Sequence, residues 1–146
     1  MRNLLLIFLS SPWLIFAQIP QPNYNQAFLQ NEVANVFISI DSDSLNLLLG
    51  DSLYSGHEFM AAFSYESSTG VSIYDSIGFR ARGNTSLASQ KKSFKIDFNR
   101  FVSGQKYEGL EELNLNGEHN DVSILRSYLA QYLLRSAGLA AARTSF

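Results

Sequence analysis

Residues Ile77 to Phe98 read IGFRARGNTSLASQKKSFKIDF, and both ends of this stretch alternate in character. Ile77, Phe79 and Ala81 share one parity, and Gly78, Arg80 and Arg82 the other. Further on, Phe94, Ile96 and Phe98 oppose Lys91, Ser93, Lys95 and Asp97. Successive side chains of a strand point to opposite faces. Two paired arms would therefore bury one apolar face and gather Arg80, Arg82, Lys91 and Lys95 on the other. Lys92 falls on the apolar side by this parity, so near the turn it must snorkel or reach into a cleft. The connecting residues 83–90 offer Gly83 for unusual backbone angles, Asn84 for a local turn, and hydroxyls at Thr85, Ser86 and Ser89. Exposed amides, small hydroxyls and nearby cations are good ingredients for holding phosphate oxygens. The spacing is neither that of a Walker loop nor that of a Gly-x-Gly-x-x-Gly loop. A solvated sheet face is the plain alternative.

The charge pattern sharpens the question. The chain has 146 residues, a net charge of −2 and a pI near 5.6. No Lys or Arg occurs between Asn3 and Phe79, where Glu32, Asp41, Asp43, Asp51, Glu58, Glu66 and Asp75 lie. From Arg80 to Lys106 the balance inverts, with Arg80, Arg82, Lys91, Lys92, Lys95, Arg100 and Lys106 against Asp97 alone. Such a block either binds an anion or faces the acidic part of the same protein. Composition weighs the two equally. The absence of cysteine excludes thiol catalysis and cysteine-bound zinc.

Residues 1–17 read as a cleaved export signal: Arg2 gives a positive start, Leu4 to Phe16 an apolar stretch, and Ala17 a small residue. Ser10, Ser11 and Pro12 interrupt the run, which is shorter than the roughly 20 residues of a spanning helix. A secreted, periplasmic or cell-surface location without a transmembrane anchor follows. Export and net negative charge argue against nucleic acid as a partner. Residues 18–35 read as an extended leader, rich in Pro, Asn and Gln.

Beyond the leader, NVFISID suggests a first strand, and DSDSLNLLLGD a short helix capped by Asp41 or Ser42 and stopped near Gly50. An EF-hand reading of that Asp-x-Asp fails, because Asn46 and Ser52 stand where glycine and glutamate are required. EFMAAFSYES and GVSIYDSIGFRAR read as strands joined by SSTG, and a further strand ends at Asn116-Gly117. Residues 120–138, NDVSILRSYLAQYLLRSAG, predict a helix capped by Asn120 or Asp121 and ended by Gly138, with Val122, Leu125, Leu129, Tyr132 and Leu133 on one face. LAAARTSF predicts the start of another strand. The fold class expected is α+β, an antiparallel sheet with a packed C-terminal helix.

RARGNTS, then KKSFKIDF, then LNLNGEHNDVSILRSYLAQYLLRSAG together resemble the CotH family, the spore-coat-H-like secreted atypical kinases. VFISIDSDSLNLLL upstream is similar to the family's opening strand and helix, so the resemblance runs from Val36 to the C-terminus. Thr85, in place of the commoner serine, and Asn120-Asp121-Val122, without the proline often found after the aspartate, depart from the pattern. The resemblance implies that residues 36–146 are the N-terminal part of an incomplete kinase-like domain. It implies binding of ATP with Mg or Mn, and phosphorylation of Ser or Thr in secreted or cell-surface proteins. By that analogy Arg82, Asn84 and Ser86 position phosphate or brace the loop. Lys91, Lys92 and Lys95 are all candidates for the phosphate-pairing lysine, and sequence does not choose among them. The catalytic and metal-holding acidic residues are expected downstream, so no catalytic or metal residue is assigned, and this chain alone is expected to be inactive. The alternative is a non-catalytic adhesion or polyanion-binding module on the same scaffold.

Overall fold

The computed structural model describes residues 26–50 and 56–145. The expected export signal and residues 18–25 of the leader lie outside the described residues. Five strands form one antiparallel sheet in sequential order: β1 (Asn35–Ser39), β2 (Phe59–Ser67), β3 (Gly70–Arg82), β4 (Ser93–Asp97) and β5 (Glu112–Leu115). Helix α1 (Ser42–Gly50) follows β1, a 3-10 turn (Thr85–Ala88) links β3 to β4, and helix α2 (Arg126–Ser136) follows β5. The α+β class is the one the sequence predicts.

Register decides which residues meet. Phe79 lies opposite Ile96 and Ala81 opposite Phe94, so the arms of the opening stretch pair with their apolar sides together. On the same face, Phe63 pairs with Tyr74, Ile38 with Phe63, and Ile96 with Leu113. Phe63, Ile77, Ile96, Phe98 and Tyr107 are fully buried there, and Leu48 of α1 joins them. Phe63 meets the Phe98 ring edge-on at 5.1 Å, and Phe79 stacks on the half-buried Phe94 at 4.9 Å. A tight turn inserts Tyr107. Glu108 and Gly109 both take positive φ, and Tyr107 and Leu110 exchange backbone hydrogen bonds of 2.8 and 2.9 Å. Positive φ at both central residues matches the twist of a two-residue hairpin. The Tyr107 hydroxyl has no hydrogen-bond partner among the described residues, and burial raises its pKa.

One irregularity changes the parity of β3. Ala61 pairs with Ile77 but Phe63 with Tyr74, leaving a bulge at which Ser76 adopts φ 57°. An extra residue in one strand shifts every side chain beyond it to the other face. Tyr74 therefore points into the core, and Ile73 is 68% exposed.

An aspartate serves the start of each described helix, as N-cap in α1 and from outside the N-cap position, which is Leu125, in α2. The Asp41 carboxylate accepts the Ser44 amide at 2.8 Å. Helix α2 begins at Arg126, later than the predicted start near Asp121, because Asn120 and Ile124 take φ of 60° and interrupt the turn. Asp121 still serves the helix: it accepts from the Arg126 amide at 2.8 Å and from Ser123 Oγ at 2.6 Å. At the other end Gly138 has φ 76°, and its amide bonds the Arg135 carbonyl while Leu139 bonds that of Leu134. This is the double hydrogen bond of a Schellman stop. The apolar stripe of α2 is not buried: Tyr132 is 50% and Leu133 63% exposed. Residues 139–145 form no strand. The Ala142 amide and carbonyl are instead taken by the side chains of Gln131 and Arg135, which hold this segment against α2.

Two outcomes are expected. Phe63→Ala should cost about 3–5 kcal/mol in denaturant melts, whereas Leu129→Ala on the open stripe of α2 should cost less than about 0.5 kcal/mol. The second concerns pH. Hydrogen bonds from Ser123 and from the Arg126 amide hold the Asp121 pKa below its ordinary 3.8, and those from Ser44 do the same for Asp41. A depressed folded pKa gives stability that is complete above the unfolded value and lost as pH falls through the folded one. Helical circular dichroism should hold above pH 3.8 and fall below it, and Asp121→Ala should lower it already at neutral pH.

Candidate functional site

The β3–β4 register places Arg80 directly opposite Lys95 and Arg82 opposite Ser93. Like charges facing each other across a strand pair are unfavourable, and carboxylates from ahead of β2 and from β5 resolve the conflict. Glu58, just ahead of β2, bonds Arg80 Nε at 3.3 Å and Arg100 Nε at 2.9 Å. Glu112 of β5 receives Lys95 Nζ at 2.7 Å, and Glu111 receives Lys106 at 2.8 Å. Arg100 reaches Glu58 by laying its stem on Gly78, where a Cβ would fall 2.8 Å from that of Arg100. Four of the block's seven cations therefore face the protein's own acids.

Lys92 is occupied in another way. Leu87, in the 3-10 turn, packs against the core, and its carbonyl accepts Lys92 Nζ at 2.5 Å. The half-buried stem follows the apolar face and the ammonium ends on a backbone acceptor, as the parity of Lys92 requires. This contact staples the turn to the start of β4.

Arg82 and Lys91 remain. Both are exposed at the two ends of the connecting loop, and neither forms an ion pair with any described residue. Between them Gly83 takes φ 122° and Asn84 is exposed. Ser86 lies in the 3-10 turn, and its side chain is outside the described set. Of the six residues singled out by sequence, the structure thus leaves Arg82 and Lys91 as uncompensated charges and gives Lys92 and Lys95 internal partners. A bound anion at the loop would meet two cations whose charge nothing described offsets.

Ser93, between these groups, is the buried polar residue of the sheet. Its hydroxyl donates to Asn116 Oδ1 at 3.1 Å and accepts the Gly117 amide at 3.0 Å. Asn116 Nδ2 donates to Glu118 Oε1 and to Ser127 Oγ, and Ser127 Oγ donates to Glu118 Oε2. Sequence reasoning missed this set; three of its five members, Asn116, Gly117 and Glu118, follow one another within LNLNGEHN and Ser127 lies at the start of α2, but nothing local marks them as belonging with Ser93.

A cavity of about 340 Å³ opens beside the apolar face, lined by Val36, Tyr65, Leu113, Leu115, Tyr128 and Thr144 among others. None of the six candidate residues lines it. Among the described residues no group of three or more His, Asp or Glu side chains is placed to hold a metal ion. No residue is therefore assigned to Mg or Mn, and Asp121 spends its carboxylate on the start of α2.

Residues 79–146 match the family model described as CotH kinase protein. No curated protein and no solved structure matches the chain significantly. The match begins within β3 and takes in the β3–β4 turn, the Ser93 network and α2.

Removal of the Glu58 carboxylate tests the charge assignment. Glu58→Gln should release Arg80 and Arg100, so the chain should elute from immobilised heparin at higher salt than the parent. Its stability should fall by about 1 kcal/mol or less, as expected for partly exposed ion pairs.

Proposed function

We propose, taking as premise that residues 79–146 make this a CotH-like chain, that the β3–β4 turn binds the phosphates of ATP as the N-terminal part of an exported protein kinase. The observation that carries this reading is the selective neutralisation of the cation block. Arg80, Lys95, Arg100 and Lys106 are matched by Glu58, Glu112 and Glu111, while Arg82 and Lys91 stand unmatched on either side of a glycine-containing loop. Phosphoryl transfer calls mainly for positioning and for charges that offset the developing negative charge. A guanidinium grips two oxygens in a fixed fork, and an ammonium adds a mobile point charge. Arg82 and Lys91 form such a pair, with Lys92 bracing the loop through the Leu87 carbonyl. Lys91 is accordingly the phosphate-pairing lysine among the three candidates. The divalent metal, Mg or Mn, would shield the phosphates, and among the described residues no group of three or more His, Asp or Glu is placed to hold it. Transfer to Ser or Thr of a secreted or cell-surface protein is the activity the family implies, and no residue of this chain is assigned to that step. No described helix is long and apolar enough to cross a membrane, which accords with an exported protein.

A non-catalytic polyanion-binding surface is the second reading. It is favoured by the exposure of both free cations on the surface, away from the cavity. A sulfated glycan would then bind with a steep salt dependence and would not be displaced by ATP.

Titration calorimetry of the 146-residue chain with Mg-ATP separates the two. Combined Arg82→Ala and Lys91→Ala should weaken binding at least about tenfold, since charge-assisted contacts contribute about 1.5–3 kcal/mol each. Lys95→Ala should leave the affinity within about twofold, because its charge is already met by Glu112. Unchanged Mg-ATP affinity in the double variant, or loss in Lys95→Ala alone, would overturn the assignment.

A further inference from the structure

We propose that Asn116, Gly117, Glu118 and Ser127 act as positioning residues that lock the Lys91 backbone to the start of α2, so that anion binding at the β3–β4 turn is coupled to the docking of α2. The inference rests on the phosphate-binding reading above and adds to it a device that sets the geometry of the two cations.

Two independent observations meet at this point. The first is steric. A Cβ on Gly117 would lie 2.6 Å from the Lys92 carbonyl oxygen and 2.8 Å from that of Lys91. Both are backbone atoms, so no rotamer change relieves the clash, and any larger residue must push residues 91–92 away. The segment after β5 therefore lies directly against the backbone that carries the candidate lysine.

The second is the hydrogen-bond set, which is saturated. Ser93 Oγ uses its proton on Asn116 and a lone pair on the Gly117 amide. Asn116 gives its amide protons to Glu118 and Ser127, and each Glu118 oxygen accepts one bond. Ser127 is the second residue of α2. The chain of contacts thus runs from β4, through the end of β5, to the helix without an unused group. In Glu118→Gln an acceptor would become a donor facing the Asn116 amide or the Ser127 hydroxyl proton, so at least one bond of this half-exposed set would be lost.

Arg82 sits in register with Ser93, and Lys91 precedes it by two residues. The two free cations hang from neighbouring backbones that meet at one buried serine. Because α2 buries none of its own side chains, its seating on the sheet depends on polar ties such as this one. Displacement of the helix would then be felt at the lysine, and occupation of the lysine by phosphate would favour the seated helix, because coupling of this kind is reciprocal.

The test uses the 146-residue chain and inorganic tripolyphosphate as probe. Gly117→Ala and Glu118→Gln are expected to weaken binding about fivefold to tenfold, roughly the effect of one misplaced charge-assisted contact. Ser127→Ala should weaken it similarly, and Ser127→Thr, which keeps the hydroxyl, should restore it. Ile96→Val, a core variant with a comparable loss of thermal stability, should bind as the parent does; equal weakening there would reduce the network to general stability and overturn the proposal. A readout independent of phosphate guards the case in which the parent binds no tripolyphosphate, which would sink the phosphate reading itself. In amide hydrogen exchange, Glu118→Gln should speed exchange in residues 83–92 and in 126–136 together. Acceleration confined to α2, with the β3–β4 turn unchanged, would refute the coupling whatever the probe does.

Discussion

Arg80 and Lys95 face each other across β3 and β4 because the apolar residues on the other side of those strands admit no other register. A slip of one residue would turn the apolar residues of one strand, Phe79 and Ala81 or Phe94 and Ile96, away from those of the other and put its charges on the apolar face. The sheet therefore accepts like charges side by side, and the fold brings in Glu58 from ahead of β2 and Glu112 from β5 to offset them. Isolated ion pairs at such exposure contribute little net stability. Their part here is to cancel repulsion that the core has imposed. Once they are in place, the sheet face is divided into neutralised cations in its middle and free ones at its end. The functional reading and the positioning device both follow from that division.

The same logic connects core to loop. Leu87 docks on the apolar face, which sets the 3-10 turn, and its carbonyl then offers Lys92 a partner beside that face. Lys92 is thereby drawn out of competition for a ligand and becomes a brace. Lys91, its neighbour, points to solvent with its backbone held by Gly117. Two adjacent lysines thus take different work from the alternation of a strand. Helix α2 stands in contrast: its ends are well defined by Asp121 and Gly138, but its stripe of leucines and Tyr132 is open. Its ties to the rest of the chain include polar contacts of Ser127 with Asn116 and Glu118 and of Tyr128 with Gln30, while none of its side chains is fully buried.

Sequence made the β3–β4 hairpin legible because one of its faces is buried, and burial of one face is what gives alternation its meaning. The same rule fails upstream of Ser76, where the bulge reverses parity and sends Ile73 outward and Tyr74 inward. Nothing in GVSIYDS announces that extra residue. The start of α2 was misplaced for a related reason. Asp121 is a good capping residue, but Asn120 and Ile124 adopt left-handed backbone, and the cap acts across that turn on Arg126. The C-terminal LAAARTS reads as the start of a strand and forms none; Gln131 and Arg135 take the Ala142 backbone groups instead. The candidate site was legible as a set of cations, whereas their sorting was not. Glu58 and Glu112 lie far away in sequence from Arg80 and only the fold makes them neighbours, and the Ser93 network likewise spans three segments.

On the proposed function, Arg82 and Lys91 are the charges left to meet a triphosphate. Nuclear magnetic resonance of side-chain nitrogens tests it most directly, following Arg82 Nε and Lys91 Nζ against Arg80 Nε and Lys95 Nζ as Mg-ATP is added to the isotope-labelled chain. The first two resonances should move together and saturate, while the latter two, held by Glu58 and Glu112, should stay in place. Saturable shifts at Arg80 and Lys95 with Arg82 and Lys91 unmoved would contradict it.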